Sequence, residues 1–237
     1  MLFKVIEEEN HIIYRIFGLK LKFRKIRNNK IFIVDKQGKK HRVPFIWGLK
    51  VDFAGENSTI VLHSPVIKFK NSQIFLRSNC TVEIGASKKS AKKLLVLAFD
   101  NNLSLKIGDN FSCTNDCQFL FSRERDKKIV VGNNCMFASN VIIRTSDGHT
   151  IVDKSTGEVL NYGEDVIIKD NVWLAMNTTV LKGVTIEEGC VIGTGSLVTK
   201  SCDEPNSIYA GVPARKIKSN IAWDREAIPD YLEQNRK

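Results

Sequence analysis

One histidine of this chain lies where it could move a proton. His149 closes the polar segment 146–149, which reads Ser-Asp-Gly-His. Free imidazole changes charge near neutral pH, so its neutral form is available as a base, and a positioned general base typically accelerates a reaction by ~10² to 10⁴. A lone histidine in a polar loop is more often only solvated, so the residue type leaves both interpretations open. The default interpretation is structural for the other histidines, His11, His41 and His63.

The cysteines do not favour metal chemistry. None of them forms a CxxC pair, and no histidine lies at zinc-ligand spacing from one. We therefore expect no metal. Most of these side chains fit positions inside a packed core, as reduced thiols that behave like small hydrophobic groups; they are Cys80, Cys113, Cys117, Cys135, Cys190 and Cys202.

The element that would position these residues is a repeat with a period of six. Apolar residues recur without exception at Ile168, Leu174, Val180, Ile186, Ile192 and Val198. Four residues later come small side chains or valine, at Val172, Thr178, Val184, Cys190, Ser196 and Cys202. A period near 3.6 marks a helix and a period of 2 a strand. A strict period of six is typical of hexapeptide solenoids, in which stacked coils bury one continuous apolar column.

The same phase occurs earlier and is interrupted twice. It includes Ile107, Cys113, Phe119, Val131, Phe137 and Ile143. It fails at Arg125, where the charged stretch 122–128 predicts a looped-out turn. It stops again over 144–165, and because Ile143 and Ile168 are not a multiple of six apart, a loop has been inserted there. That loop contains His149.

These hexads, the SDGHTI segment, the run VWLAMNTTVLKGVTIEEGCVIGTGSLVTK and the closing YAGVPARKIK resemble the left-handed β-helix acetyltransferases, in particular the galactoside, maltose and polysaccharide O-acetyltransferases. The resemblance covers about Leu103 to Ser219, roughly half of the chain. It implies an all-β, left-handed parallel β-helix and a homotrimer. It also implies that acetyl-CoA binds along a groove between subunits and that one histidine activates the acceptor hydroxyl.

The resemblance also implies roles for individual residues. His149 is the expected base. Trp173 is expected either to wall the acceptor site near the acetyl group or only to cap a groove between subunits. The residues expected to bind the cofactor are Ala175 and Met176 at the pantetheine arm, Thr194 and Thr199 further along it, and Lys200, Arg215 and Lys218 at the phosphates. Asn115 and Asp147 are the candidate acceptor-binding residues, although the register of Asn115 departs from the galactoside enzymes.

The positive charge is concentrated at the N-terminus. Residues 1–50 contain 13 Lys or Arg against 4 Asp or Glu, a net of +9, out of +10 for the chain. An acidic glycan, or a membrane surface carrying a lipid-linked acceptor, is a plausible partner. A solvated basic face is an equally valid interpretation, and no motif indicates nucleic-acid binding.

The chain divides into three segments on this basis. We expect a basic N-terminal extension over 1–55, the β-helix domain over 56–219 with its active-site loop at 144–165, and a tail helix over 220–237. Residues 12–17 have helical apolar spacing, 19–24 alternate as a strand does, and the apolar residues of 51–85 predict less regular strands. The tail helix is expected to break or kink near Pro229.

The expected function is acetyl-CoA-dependent O-acetylation of a carbohydrate hydroxyl in capsule, other surface polysaccharide or lipooligosaccharide, with sialic acid as one candidate sugar. An N-acetyltransferase acting on the amine of a nucleotide sugar is the alternative. A γ-type carbonic anhydrase would need three zinc-binding histidines, and only His149 lies in the repeat region; a purely structural β-helix would not bind acetyl-CoA. Glu7, Glu8 and Glu9 interrupt any signal peptide, and no apolar run reaches ~18 residues. We therefore expect a cytoplasmic protein, at the inner face of the membrane if it meets a lipid-linked acceptor.

Overall fold

A computed structural model describes residues 3–7, 11–16, 19–24 and 28–234. The first three strands, β1 (Phe3–Glu7), β2 (His11–Ile16) and β3 (Leu19–Arg24), form an antiparallel sheet in chain order. The strand predicted over 19–24 is therefore confirmed. The helical interpretation of 12–17 is wrong over 12–16, because isoleucines favour strands once a partner strand is available; Phe17 lies outside the described residues.

The rest of the chain is mostly short strands in parallel coils. The first ten of these strands are β4 (Lys30–Val34), β5 (Lys40–Arg42), β6 (Leu49–Phe53), β7 (Thr59–His63), β8 (Lys68–Lys70), β9 (Ser72–Leu76), β10 (Thr81–Ile84), β11 (Ser90–Lys92), β12 (Leu94–Ala98) and β13 (Ser104–Ile107). The others are β14 (Ser112–Phe121), β15 (Lys128–Val131), β16 (Met136–Arg144), β17 (Val166–Ile168), β18 (Trp173–Leu174), β19 (Thr179–Val180), β20 (Thr185–Ile186), β21 (Val191–Ile192), β22 (Leu197–Val198), β23 (Ile208–Gly211) and β24 (Ala214–Lys218).

Apart from β5 and β24, which pair antiparallel with β4 and β23, each of these strands lies beside the equivalent strand of a neighbouring coil, which makes a parallel β-helix. One face runs in the order β4, β7, β10, β13, β15, β17, β20. The long strands β14 and β16 span two further faces: β16 pairs with β18 at Met136 and Phe137, and with β19 at Ile142 and Ile143. Parallel pairing starts where β4 lies beside β7, so coil strands already occupy part of the stretch assigned to the N-terminal extension.

The hexad positions form the core of this helix. All twelve repeat positions between Ile168 and Cys202 are at most 1% exposed. The earlier members of the phase are buried too, and Phe111, Phe119 and Phe137 pack their rings against one another with centroids 5.1–6.5 Å apart. Stacked equivalent positions thus remove one apolar column from water, which is the main favourable contribution to folding here.

Coil length explains where the period of six is visible in the sequence. Ile168 lies beside Ile186 and Cys113 beside Phe137, and in both pairs the partners are a whole number of hexads apart. Nearer the N-terminus, Val82 lies between Ile60 and Leu105, and neither coil is a whole number of hexads long. The strands over 51–85, expected to be less regular, already pair in parallel with the neighbouring coils, and it is the length of the coils that departs from the hexads.

The corners between faces need unusual backbone conformations. Asparagine tolerates the left-handed region better than other non-glycine residues, and it occupies such a corner in many coils: Asn57, Asn79, Asn110, Asn134, Asn171 and Asn206 all have φ between 52° and 59°. At Gly108 the next coil comes so close that a Cβ would lie 2.7 Å from the carbonyl carbon of Gly132. Such close stacking of backbones is possible only without a side chain.

The C-terminal tail folds back over the coils before its helix. Strand β24 pairs antiparallel with β23, and helix α1 covers Ile228–Gln234. Arg225 donates to Ser112 Oγ at 2.7 Å and to the carbonyl oxygens of Asn110, Asn134 and Cys135 at 2.9–3.0 Å. The tail helix predicted over 220–237 forms only over Ile228–Gln234: residues 220–227 are not helical, and residues 235–237 lie outside the described residues. No kink occurs near Pro229, because this proline lies in the first turn, where its missing N–H has no helical partner anyway.

The cysteines lie in the core, with one difference from expectation. Cys113 and Cys117 form a disulfide, so the prediction of reduced thiols throughout is wrong for this pair. The free thiols of Cys80, Cys135, Cys190 and Cys202 are buried, and burial raises the pKa of Cys135 to about 12. Over the described residues, no helix is long and apolar enough to cross a membrane.

Candidate active site

The loop that contains His149 leaves the helix after β16 and returns at β17. Its first residues, Thr145 and Ser146, are buried. Ser146 Oγ donates to the carbonyl oxygen of Ser122 in the preceding coil, and the N–H of Glu164 donates to the carbonyl oxygen of Thr145 at 2.9 Å. The first end of the loop is therefore bonded to the preceding coil, and the second end is bonded to the first.

Asn161 holds the two arms of the loop together. Its Nδ2 donates to the carbonyl oxygen of His149 at 2.8 Å and to Asp147 Oδ2 at 2.9 Å. Its Oδ1 accepts from the N–H of Ile151 at 2.7 Å. One amide thus fixes the backbone on both sides of His149.

Lys182 ties this arrangement to the rigid helix. Its Nζ lies 2.5 Å from Asp147 Oδ2 and 2.8 Å from the carbonyl oxygen of Asn161. The ammonium group of Lys182, and then the amide of Asn161, lower the pKa of Asp147. Asp147 therefore stays ionised at neutral pH and anchors the loop. In this structure the candidate acceptor-binding residue is bonded to Lys182 and Asn161 and helps to hold the loop in place.

The side chain of His149 is exposed and lies between two clefts. The larger cleft, of about 740 Å³, has Glu124, Arg125 and Tyr162 on its walls. The smaller one, of about 400 Å³, has Arg77, Phe99 and Arg144 on its walls. Ser122, Arg123 and Gly148 border both clefts, as His149 does. The imidazole therefore faces open space on two sides, as a base that must meet a substrate hydroxyl requires.

Trp173 lies on another face of the helix and borders neither cleft. It belongs to β18, and its ring lies 5.9 Å from the ring of Trp223 in the tail at a 44° angle. Trp223 Nε1 in turn donates to the carbonyl oxygen of Asn171 at 2.6 Å. The indole N–H of Trp173 is buried and has no partner among the described residues. Within one chain, the structure does not bring Trp173 and His149 together.

The predicted cofactor residues fall into two groups. Ala175, Met176 and Thr194 follow β18 and β21 at one corner, and Arg215 and Lys218 lie on β24 of the adjoining face. Ala175 is buried, whereas Met176 is 47% exposed and Thr194 is exposed.

Thr199 and Lys200 lie at a different corner from that first group. They follow β22, which pairs with β19, so Lys200 lies one coil beyond Lys182, on the side where the loop emerges. One chain thus separates its predicted cofactor residues, and only the second group shares a corner with His149.

Asn115 also lies away from His149. It is in the first half of β14, beside Ser139 of β16, and its Oδ1 is buried with no partner among the described residues. Lys182 and Asn161 could not be selected from the sequence, because they lie 35 and 14 positions from Asp147, the residue that they contact. Over the described residues, no group of three or more His, Cys, Asp or Glu side chains could hold a metal ion.

Comparison with known proteins identifies the family. The model of the bacterial transferase hexapeptide, with six repeats, matches residues 165–200. A polysialic acid O-acetyltransferase of Neisseria meningitidis is 33% identical over 190 residues, which cover 73% of this chain and 88% of that protein. The chain belongs to the hexapeptide-repeat acetyltransferases. The fold class, a left-handed parallel β-helix with a short C-terminal helix, is thereby confirmed.

A solved structure and other relatives of this hexapeptide-repeat acetyltransferase agree. The crystallographically analysed polysialic acid O-acetyltransferase superposes with a TM-score of 0.67 at 26% identity, over 89% of this chain and 96% of that one. The galactoside O-acetyltransferase of Escherichia coli K-12 is 34% identical over 51% of this chain. The chain spans 56% of that relative, and 35% of a polysialic acid O-acetyltransferase of Escherichia coli O1:K1.

Proposed function

We propose that this protein transfers an acetyl group from acetyl-CoA to a hydroxyl group of a carbohydrate in a surface polysaccharide or lipooligosaccharide, with His149 as general base. The observation that carries the proposal is the exposed imidazole between two clefts, on a loop fixed by Asn161 and Lys182. Relatives named as O-acetyltransferases of polysialic acid and galactosides support the same reaction class.

The chain's own residues would act as follows. His149 accepts the proton of the acceptor hydroxyl as its oxygen bonds to the acetyl carbon, and then gives that proton to the departing sulfur. Bound acetyl-CoA supplies the thioester whose carbon–sulfur bond breaks. Asp147 and Asn161 hold the backbone of the loop and so keep the imidazole in place, because a displaced base loses much of its effect.

The proposed phosphate-binding residues are Lys200, Arg215 and Lys218. All three are exposed, and among the described residues none of them has a carboxylate partner, whereas the neighbouring Lys216 is paired with Glu204. Guanidinium and ammonium groups without a carboxylate are suited to the phosphates of coenzyme A. Ala175, Met176, Thr194 and Thr199 remain the proposed contacts along the pantetheine arm.

We propose further that the active form is a homotrimer whose site is shared between subunits. His149 and Lys200 lie at one corner of a chain, whereas Trp173, Met176 and Arg215 lie on another part of it. A second copy can bring the two groups face to face, and the resulting groove can shield the thioester from water better than one convex face. Trp173 would then border a site to which the neighbour contributes His149.

Membrane-surface contact through the basic N-terminal region is a further part of the proposal. Trp47 is 85% exposed, and its ring lies 5.4 Å from that of the half-exposed Phe45. Lys39 and Lys40 are exposed in the same region. Aromatic rings suit the membrane interface, and lysines are attracted to anionic lipid. Charge reversal of Lys22, Arg24 and Arg27 together should then weaken sedimentation with anionic vesicles, and unchanged sedimentation would count against this contact.

A mass-spectrometric screen tests the proposed reaction. The purified protein is incubated with acetyl-CoA and a panel of neutral, amine-bearing and acidic glycans, and each product is examined for the mass of an added acetyl group. We expect acetylation that mild alkali removes, since esters are cleaved there and amides are not. Alkali-stable products would favour the alternative transfer to an amine, and the absence of any product would contradict acetyl transfer.

A further inference from the structure

Arginines surround the side of His149 that faces the N-terminal coils. The cleft of about 400 Å³ has Arg77, Arg123 and Arg144 on its walls, together with Phe99. Arg77 and Arg123 are exposed, and Phe99 is 44% exposed. The cleft therefore offers cationic donors and an aromatic face to a molecule that touches the imidazole.

These residues come from successive coils, so they form a track along the helix. Arg77 follows β9, Phe99 follows β12, Arg123 follows β14 and Arg144 ends β16, and these four strands are neighbours in that order. At a strand spacing of about 4.8 Å, the three steps from Arg77 to Arg144 span roughly 14 Å. The track is long enough to contact more than one unit of a polymer.

The positive charge of the cleft is not neutralised by its carboxylates. Asp147, the carboxylate on the wall of this cleft, is paired with Lys182. Glu124 lines the larger cleft, where it accepts the N–H of Gly163 at 2.6 Å and keeps its own charge. The nearby Arg125 is paired with Asp100 at 3.3 Å.

The remaining arginines keep their charge available. Arg144 donates to the backbone carbonyl oxygens of Ser146 and Asp147. These backbone groups are neutral, so they do not cancel the charge of the guanidinium. Within residues 28–234, no carboxylate partner is described for Arg77 or Arg123. The smaller cleft is thus lined by three arginines against Asp147, which Lys182 already pairs.

We propose that this cleft is a subsite for the carboxylate of an acidic sugar next to the sugar that is acetylated. Arg77 and Arg123 bind the carboxylate, and Phe99 contacts the apolar face of a sugar ring; the inference rests on the proposed function. Guanidinium groups match carboxylates because their donors form a planar fork. Phe99 is supported from behind by Phe75, with ring centroids 5.5 Å apart. A free acidic monosaccharide would occupy only part of the track.

Binding measurements test the subsite without relying on turnover. The probe is an oligomer of sialic acid, compared with the same oligomer whose carboxylates are methyl esters. We expect the Arg77→Gln/Arg123→Gln double variant to bind the acidic oligomer about tenfold more weakly, since each exposed charge pair is worth a few-fold in affinity. The methyl ester should bind weakly to the parent, and equally weakly to the variant.

The matched control is the Lys88→Gln/Lys92→Gln double variant. It removes the same charge from exposed positions at β11 and just before it, and its affinity for the acidic oligomer should stay within twofold of the parent. An equal loss in the control, equal binding of acid and ester by the parent, or no binding of the acid would each overturn the subsite. So would a loss of coenzyme A affinity in the arginine variant without a loss of oligomer affinity, because the arginines would then bind phosphate.

These results are separable from a failure of the proposed function. If the parent binds the acidic oligomer through Arg77 and Arg123 but transfers acetyl to no acceptor, the subsite stands and the acetyl-transfer proposal fails. If acetyl transfer proceeds equally well to acidic and neutral glycans, with unchanged binding in the arginine variant, only the subsite fails.

Discussion

Lys182 is the residue that connects the candidate base to the rigid part of the protein. Its ammonium group is bonded to Asp147 and to the backbone of Asn161, and only 19% of its side chain is exposed. Among the described residues, none is hydrogen-bonded to the imidazole ring of His149 itself. The position of the imidazole therefore depends on contacts made by its neighbours.

The first prediction concerns this anchor. Lys182→Met should lower kcat/KM for acetyl transfer by about tenfold or more while the protein stays folded, because a loosened loop misplaces the base. Lys169→Met is the matched control, since Lys169 Nζ makes a similar ion pair with Glu187 at 2.6 Å on the coils. Steady-state kinetics and hydrogen exchange of residues 148–163 measure the effect. Equal activities of the two variants would contradict the role of Lys182.

The direction in which the pKa of Asp147 is shifted determines the pH range over which its ion pair with Lys182 holds the loop. Its folded-state pKa is lowered, first by Lys182 and then by Asn161. The ion pair therefore contributes fully above the ordinary aspartate range, and its contribution is lost only as the pH falls through the lowered value. We expect hydrogen exchange of the loop to be unchanged between pH 5 and pH 8, apart from the intrinsic rate. Loosening of the loop within that range would contradict the assignment.

At the scale of the elements, close stacking of coils is the feature most sensitive to substitution. A Cβ at residue 108 would lie 2.6 Å from Asn133 Oδ1 and 2.7 Å from the carbonyl carbon of Gly132. Gly108→Ala should therefore destabilise the protein by about 1–3 kcal/mol, as overpacking does. Thermal unfolding measures this, with the exposed Lys106→Ala on the preceding strand β13 as control. Equal midpoints of the two variants would contradict this description of the stacking.

Strand β24 carries the second prediction at this scale. Arg215→Ala should weaken coenzyme A binding in calorimetry more than it lowers turnover at saturating acetyl-CoA, because a phosphate contact far from the reacting carbon contributes equally to ground and transition states. Lys216→Ala removes a neighbouring charge that is already paired with Glu204, so it should change the affinity less. Unchanged affinity in Arg215→Ala would exclude it from the cofactor site.

The elements also explain how much the sequence could predict. Coils that contain a whole number of hexads keep the repeat in phase, so the fold and the inserted loop were visible from Ile107 onward. The coils before Ile107 do not contain a whole number of hexads, so the sequence pattern does not show that they belong to the same architecture. His149 could be selected because its loop interrupts the period. Lys182 and Arg77 could not, because only coil stacking brings them near Asp147 or His149. Asn161 could not either, because its contacts with Asp147 and His149 depend on how the inserted loop folds back on itself, and no local pattern encodes these contacts.

At the scale of the whole molecule, the two groups of site residues require more than one chain. We therefore predict a trimer of about three times 26.8 kDa by light scattering at assay concentration. Mixing His149→Ala subunits with Trp173→Ala subunits should restore part of the activity, since some interfaces then combine an intact His149 with an intact Trp173. A fully active monomer, or no recovery on mixing despite exchange of subunits, would contradict the shared site.

The most direct test of the account is the rate of acetyl transfer by His149→Ala at saturating acetyl-CoA, measured by mass spectrometry on a glycan that the parent acetylates. A general base is typically worth ~10² to 10⁴ in rate, so we expect a loss of that size with coenzyme A affinity and the trimer unchanged, because the exposed imidazole supports neither. A correctly assembled variant that retains a rate within a few-fold of the parent would contradict the assignment of His149 as the base.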